Sequence, residues 1–345
     1  MKIFNKKNNK KKRFSLKTFC AFIIFEFLFT IITAPFILLY GPFERAKKVY
    51  VGAAMTTLSH QWLATTFLSQ DKIDEILNSN RSKDIKDNNL ETNKNIESTI
   101  TLPIKKDDTM ELFSFENFKY KGYYLVVNDP KRITVGYSKN LGKEGQTTSE
   151  MAKEFGAVAG INGGAFHDES SSSGDRKNQW NGNGGNPRGF IISDSKVIFN
   201  DVAKKEKSEV FAMTKEGKML VGKYTLDELI SKNVTDAVTF TPTLVKNGLP
   251  VKNLPDWGIA PRTAIGQRSD SAIVLMVIEG RSLSDMKAGA SLEELQQLLI
   301  KYGHVVNGIN LDGGRSSTLY LNGKVINKLS SNIGERALPS SILVK

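Results

Sequence analysis

Residues 18–40, TFCAFIIFEFLFTIITAPFILLY, form a nearly continuous apolar run whose one charged residue is Glu26. At ~1.5 Å per residue a helix of this length crosses the ~30 Å hydrocarbon layer, and Pro35 is tolerated in such a helix. A cleaved signal peptide normally has an apolar region of ~7–15 residues and a small-x-small cleavage site, neither of which fits this segment. The pattern therefore predicts a transmembrane helix over 18–40. Val49, Ala53, Leu58, Trp62 and Leu63 then recur at helical spacing, and the pattern continues to Leu77, so 41–78 reads as a juxtamembrane helix. From 79 to 108 aromatic residues are absent and branched aliphatics are few. Such a stretch buries too little surface to offset its chain entropy and reads as a polar linker.

From 109 the pattern becomes strand-rich. GYYLVVND (122–129) and RITVGYS (132–138) are strands parted by the turn signal Asp129-Pro130. Hairpins are expected over 189–199 with a turn at Asp194-Ser195, over 210–222 at Glu216-Gly217, over 263–280, and over 318–327 at Asn322-Gly323. AVAGIN (157–162), 237–248, 305–312 and 341–344 are further strands. Helices are expected over 148–155, capped by Thr148 or Ser149, and over 291–302, where Ser291 and Glu294 form a capping box. Hairpins with a few helices predict an α+β domain built on mixed β-sheet over 109–345, preceded by the one transmembrane helix.

The net charge of +12 changes little in this picture. Residues 1–40 hold eight Lys/Arg and one acid, Glu26, so +7 of it belongs to the N-terminal region. The basic tail at 1–17 keeps the N-terminus cytoplasmic by the positive-inside rule and sends the rest outside the cell membrane. A nucleic-acid partner, which needs a basic face on the folded domain, loses most of its support. One cysteine, Cys20, excludes a disulfide framework and a Cys-based zinc site, and three histidines argue against a His-rich metal centre. Cys20 reads as an inert apolar thiol and His60 as a packing residue.

Chemistry concentrates in five glycine-rich segments at strand ends: INGGAFHDE (161–169), NGNGGNPRGF (181–190), APRTAIG (260–266), IEGR (278–281) and NLDGGRSSTLYL (310–321). Glycine lets backbone approach a ligand, and successive N–H groups can cradle an anion. None matches a nucleotide loop, and no G-x-S-x-G elbow occurs. The order N-G-G-A-F, G-N-P-x-G, P-R-T-A-I-G, E-G-R, G-A-S-L-E-E-L, N-L-D-G-G-x-S-S-T and G-E-R-x-L-P over 111–345 resembles the phosphodiester glycosidase family. The resemblance implies hydrolysis of a sugar-1-phosphodiester at its C1–O bond, on an α+β domain, with a carbohydrate phosphate as substrate.

The residue types suit that chemistry. An oxocarbenium-like state wants a carboxylate, and a phosphodiester wants arginine forks and N–H donors. Asp312 and Glu279 are the candidate carboxylates, and His167 a candidate for proton transfer. Asn162, Gly163, Gly164, Asn186, Arg262, Arg281, Gly313, Gly314, Ser316 and Arg336 are candidate contacts for sugar and phosphate, with Arg262 foremost as the clamp. Arg188 is a weaker candidate, and Arg315 stands where the family often has a small residue. No cofactor is expected. Asn162, Asp168 and Asp312 nevertheless offer oxygen ligands to Ca²⁺ or Mg²⁺, leaving open metal-assisted P–O cleavage. A non-catalytic binding protein for anionic surface polysaccharide is the other alternative.

Overall fold

The computed structural model describes residues 16–55, 62–81, 100–101, 107–167, 183–281, 287–331 and 333–345. His60 and Asp168 lie outside them.

The apolar run forms one helix, α1 (Leu16–Tyr40). Its Phe19–Tyr40 stretch has mean hydropathy 2.4 and only 6% burial, a length and composition shared by membrane anchors and signal sequences. Within 41–78 the helix expected from periodicity is interrupted. The chain forms α2 (Glu44–Met55), α3 (Trp62–Thr65) and α4 (Gln70–Arg81). These pack through Val51, Ala54, Ala64, Leu68, Ile73 and Ile76, with Leu39 of α1. The break after Thr65 lets Leu68 and Ile73 turn back onto α2, which a straight rod would not allow.

Among the described residues the domain holds three larger antiparallel sheets and a short ribbon. The first runs, edge to edge, β1 (Met110–Glu116), β2 (Lys121–Val127), β15 (Ile273–Ile278), β14 (Arg262–Arg268), β16 (Val305–Leu311), β12 (Thr243–Lys246) and β13 (Leu249–Pro250). The second is β10 (Met219–Tyr224), β9 (Ser208–Thr214), β11 (Val234–Thr239), β7 (Phe190–Ser193) and β8 (Lys196–Asn200). The third is β18 (Lys324–Val325), β17 (Leu319–Leu321), β4 (Ala159–Asn162), β19 (Ser340–Val344) and β3 (Ile133–Tyr137). The ribbon pairs β5 (Phe166–His167) with β6 (Asn186–Pro187).

Alternation of side chains decides how the sheets stack. Leu125, Val135, Ile161, Phe211, Ile265, Leu275, Ile309, Leu311 and Ile342 share one core between the three sheets. The opposite face of the first sheet, Ala264, Val274, Met276 and Ile278, is covered by α7 (Leu292–Lys301). Helix α5 (Thr148–Glu154) covers Tyr320 and Leu343, and α6 (Leu226–Ser231) covers Phe190, Val210 and Ala237. The cap of α5 is Thr147, one residue before the expected position, because its hydroxyl accepts from Glu150 N while Glu150 returns the bond. The Asp129-Pro130 turn does not join a hairpin. It passes the chain from the first sheet to the third, and the stretch 237–248 divides likewise between β11 and β12.

Candidate functional site

Four strands of the first sheet bring polar residues to one end. Arg262 opens β14 opposite Ile278, and Thr263 lies opposite Leu311. Glu279 therefore leaves β15, and Asp312 leaves β16, on either side of the Arg262 strand. Their main chains lie two strand spacings apart, on the order of 10 Å. Lys121 opens β2 at the same end, its carbonyl accepting from Glu279 N at 2.8 Å. The hydroxyl of Tyr123 chiefly, and the negative charges of Glu279 and Glu116 more weakly, hold the Lys121 ammonium above its usual pKa. The Glu279 carboxylate is buried and accepts from Lys328 N.

Asn162 joins this end to the third sheet. Its side chain is fully buried at the end of β4. Nδ2 donates to the Asp312 carbonyl at 2.6 Å. Oδ1 accepts from Thr263 Oγ1 at 2.8 Å and from Thr318 N at 3.1 Å. The amide oxygen thus has two donors aimed at it, and Asn162 holds the Asp312 loop in place. This occupancy tells against the cation site suggested by Asn162, Asp168 and Asp312. Among the described residues no group of three or more His, Cys, Asp or Glu is placed to hold a metal ion.

The glycines divide by what surrounds them. A Cβ on Gly163 would stand 2.7 Å from the Ser340 carbonyl carbon and oxygen, and one on Gly164 2.9 Å from the Thr239 carbonyl. Gly313 likewise faces the Pro261 carbonyl at 2.7 Å. These three permit close chain packing. Gly314 differs: φ is +62°, and its missing side chain leaves room for the Arg281 guanidinium, whose Nη1 would lie 3.4 Å from a Cβ. Two and three positions further on, Ser316 and Ser317 bury hydroxyls that no hydrogen bond satisfies.

The arginines also separate. Arg262 is buried and donates through Nε to Ala290 O at 3.0 Å and through Nη2 to Gly258 O at 2.6 Å. Burial first, then the charge of Arg281, pulls its pKa down to about 10. Much of its fork is committed to loop carbonyls. Arg281 is solvent-exposed and, among the described residues, its guanidinium makes no hydrogen bond. Crowding by protein atoms and then the charge of Arg315 lower its pKa. Arg281, rather than Arg262, has its full fork available to a ligand. Arg315 donates to Ser331 Oγ at 3.1 Å, close enough to Arg281 to be felt there.

The remaining candidates lie on the ribbon side. His167 is exposed, directly opposite Asn186. The Arg336 guanidinium lies 4.9 Å from the centre of the Phe166 ring. Arg188 is exposed, and its N–H donates to Ala165 O at 2.9 Å. The residues absent from the sequence-based set are Lys121, Thr263 and Thr318. Thr263 and Thr318 had a local signal, their places inside P-R-T-A-I-G and N-L-D-G-G-x-S-S-T, whereas Lys121 had none.

The sequence profile of the phosphodiester glycosidase family matches residues 155–345. The chain belongs to that family. An SPbeta prophage-derived uncharacterized protein, YomE, of Bacillus subtilis (strain 168) is 32% identical over 209 residues, covering 58% of this chain and 29% of that protein. The Bos taurus N-acetylglucosamine-1-phosphodiester alpha-N-acetylglucosaminidase is 42% identical over 65 residues, covering 19% of this chain and 12% of the bovine one. The chain thus aligns with less than a third of either curated relative. The catalytic domain of the zebrafish enzyme of the same name, solved auto-inhibited by its pro-peptide, superposes with TM-score 0.55 at 21% identity. The match covers 71% of this chain and 86% of the zebrafish one, and establishes a shared α+β fold.

Proposed function

We propose that the protein is a membrane-tethered, extracytoplasmic hydrolase that cleaves the glycosidic bond of sugar-1-phosphodiesters in surface glycans or their precursors. The observation that carries the reading is the exposed Arg281 guanidinium over Gly314, beside the strand ends that deliver Asp312 and Glu279. Arg281 holds the phosphate, and the buried hydroxyls of Ser316 and Ser317 supply hydrogen-bonding capacity nearby. Asp312 attacks C1, or deprotonates the water that does. The C1–O electron pair leaves on the phosphate oxygen, where arginine charge offsets it. Because phosphate departs as a stable anion, the reaction needs little help from a general acid. Glu279, held by Lys328 N, is the second carboxylate. The apolar helix supports the tether, and the basic residues before it support a cytoplasmic N-terminus.

The test is hydrolysis by the full chain, in detergent, of a sugar-1-phosphodiester in ¹⁸O-water. Label in the released sugar is expected. Label in phosphate would replace this reading with P–O cleavage. Tight binding without turnover would make the protein a polysaccharide-binding module.

A further inference from the structure

The two ends of the first sheet differ in character. At the end away from Glu279 and Asp312, the turns carry Asn128, Asp129, Asn247, Gly248, Asp270 and Ser271, and Leu249 beside one of them is the large apolar side chain exposed there. At the candidate catalytic end, large apolar side chains stand in solvent: Phe118 is 84% exposed, Ile333 54%, Ile259 49% and Trp257 37%.

These residues sit on the loops that build the site. Phe118 is in the β1–β2 turn, and the next residue, Lys119, accepts through its carbonyl from Ala288 N at 2.8 Å and Gly289 N at 3.1 Å. Ala290 in turn exchanges bonds with Ala260, at 3.2 and 2.9 Å. Phe118, the 288–290 segment and Ile259 therefore stand on three chain segments abreast. Arg281 hangs from the middle one, its N–H donating to Ala288 O at 3.2 Å. Gly258, beside Trp257, supplies a carbonyl to Arg262. Ile333 belongs to the loop whose Ser331 meets Arg315.

We propose that this rim rests on a lipid bilayer, with Phe118, Trp257 and Ile259 entering the headgroup region, and that the substrate is a membrane-borne lipid carrying a sugar through a phosphodiester. The substrate assignment rests on the hydrolase reading above; the docking does not. Aromatic side chains favour the membrane–water interface, and exposed apolar groups gathered around a site mark a surface that is covered in use. A bilayer is favoured as the cover because the same chain carries an apolar helix long enough to cross one. Arg281 adds positive charge that suits anionic headgroups, whereas Lys119 and Lys287 are already paired with Glu294 and Glu116. A lipid-linked substrate would meet Arg281 with its phosphate at headgroup depth, its tail remaining in the bilayer.

The three tryptophans are Trp62, Trp180 and Trp257. The test is the full chain with Trp62→Phe and Trp180→Phe, reconstituted in phosphatidylcholine/phosphatidylglycerol vesicles. Trp257 emission should be quenched by lipids brominated near the headgroup and shielded from aqueous acrylamide. Emission quenched by acrylamide and untouched by bromolipid would overturn the docking, including the case in which another protein covers the rim. The double variant Phe118→Ser/Ile259→Ser should lower turnover of a vesicle-borne lipid sugar phosphodiester ~tenfold or more, since it withdraws two apolar side chains from the bilayer. Its turnover of a short water-soluble phosphodiester should be unchanged, and equal loss on both would overturn the substrate assignment. If neither substrate is cleaved by the unmutated chain, the hydrolase reading fails while the quenching still reports on docking.

Discussion

The Asn162 side chain donates to the main-chain carbonyl of Asp312 at 2.6 Å across 150 positions of sequence. With Thr263 and Thr318 on its oxygen, this one amide closes the seam between the first and third sheets where Asp312 leaves β16. Asn162→Ala should leave the Thr318 N–H and the Asp312 carbonyl without these bonds. Each buried group orphaned costs about 1–3 kcal/mol. A fall of several degrees in Tm by calorimetry is the expected outcome, and an unchanged Tm would show that the seam does not depend on it.

Asp312→Asn should keep the fold and lose turnover by ~10²–10⁴-fold, because the amide neither stabilises an oxocarbenium nor takes a proton well. Binding of a non-hydrolysable phosphonate analogue, followed by calorimetric titration, should persist. A fully active, folded Asp312→Asn protein would pass the catalytic role to Glu279.

The two arginines should separate under the same substitution. Lys keeps the charge and loses the planar fork. Arg281→Lys, which breaks no hydrogen bond of its side chain to the described residues, should weaken phosphonate binding with little change in Tm. Arg262→Lys removes donors from the Ala290 and Gly258 carbonyls and should lower stability by roughly 1–3 kcal/mol in urea unfolding. The reverse pattern would return Arg262 to the clamp role.

Glycine substitutions offer a second contrast. Gly163→Ala drives a methyl into the Ser340 main chain and should be severely destabilising. Gly314→Ala strains a left-handed residue by about 1–2 kcal/mol and crowds Arg281, so substrate affinity should fall in a protein that still folds. Equal melting temperatures for the two variants would contradict this division.

Asp236 governs a pH effect on stability. It is buried on β11 and accepts from Val135 N at 2.7 Å and Thr134 Oγ1 at 3.0 Å. Burial, outweighing these bonds, raises its pKa. The folded state therefore binds the proton more tightly than the unfolded chain. Its stabilising contribution is full below the unfolded value of about 3.9 and is lost as pH rises through the folded pKa. Asp236→Asn keeps an acceptor and removes the titration. Relative to the unmutated protein it should gain stability between pH 4 and pH 7 in urea unfolding, and a constant difference would refute the linkage.

Much of the domain is legible locally. Asn322-Gly323 and Asp194-Ser195 mark their hairpins because paired positive-φ residues suit tight two-residue turns, and all four adopt positive φ. Ser291 and Glu294 announce α7 through a capping box confined to four residues. Strand β1 and helix α6 were not anticipated. β1 is an edge strand with mostly exposed side chains and so lacks a strong apolar alternation, although α6 has a capping box of its own in Thr225 and Glu228.

The sequence by itself determined the family, the apolar helix, most strands and their turns, and the two carboxylates at strand ends, because these depend on residue order and on neighbours within a few positions. Only the tertiary structure decided the division of labour among similar residues. Arg262 and Arg281 are equivalent as letters, as are Gly163 and Gly314. Arg262 meets the carbonyl of Ala290, and Gly163 meets Ser340, whereas Arg281 and Gly314 face each other at the candidate site. Those contacts join segments far apart in the chain, and hydrogen bonding and steric exclusion act through space.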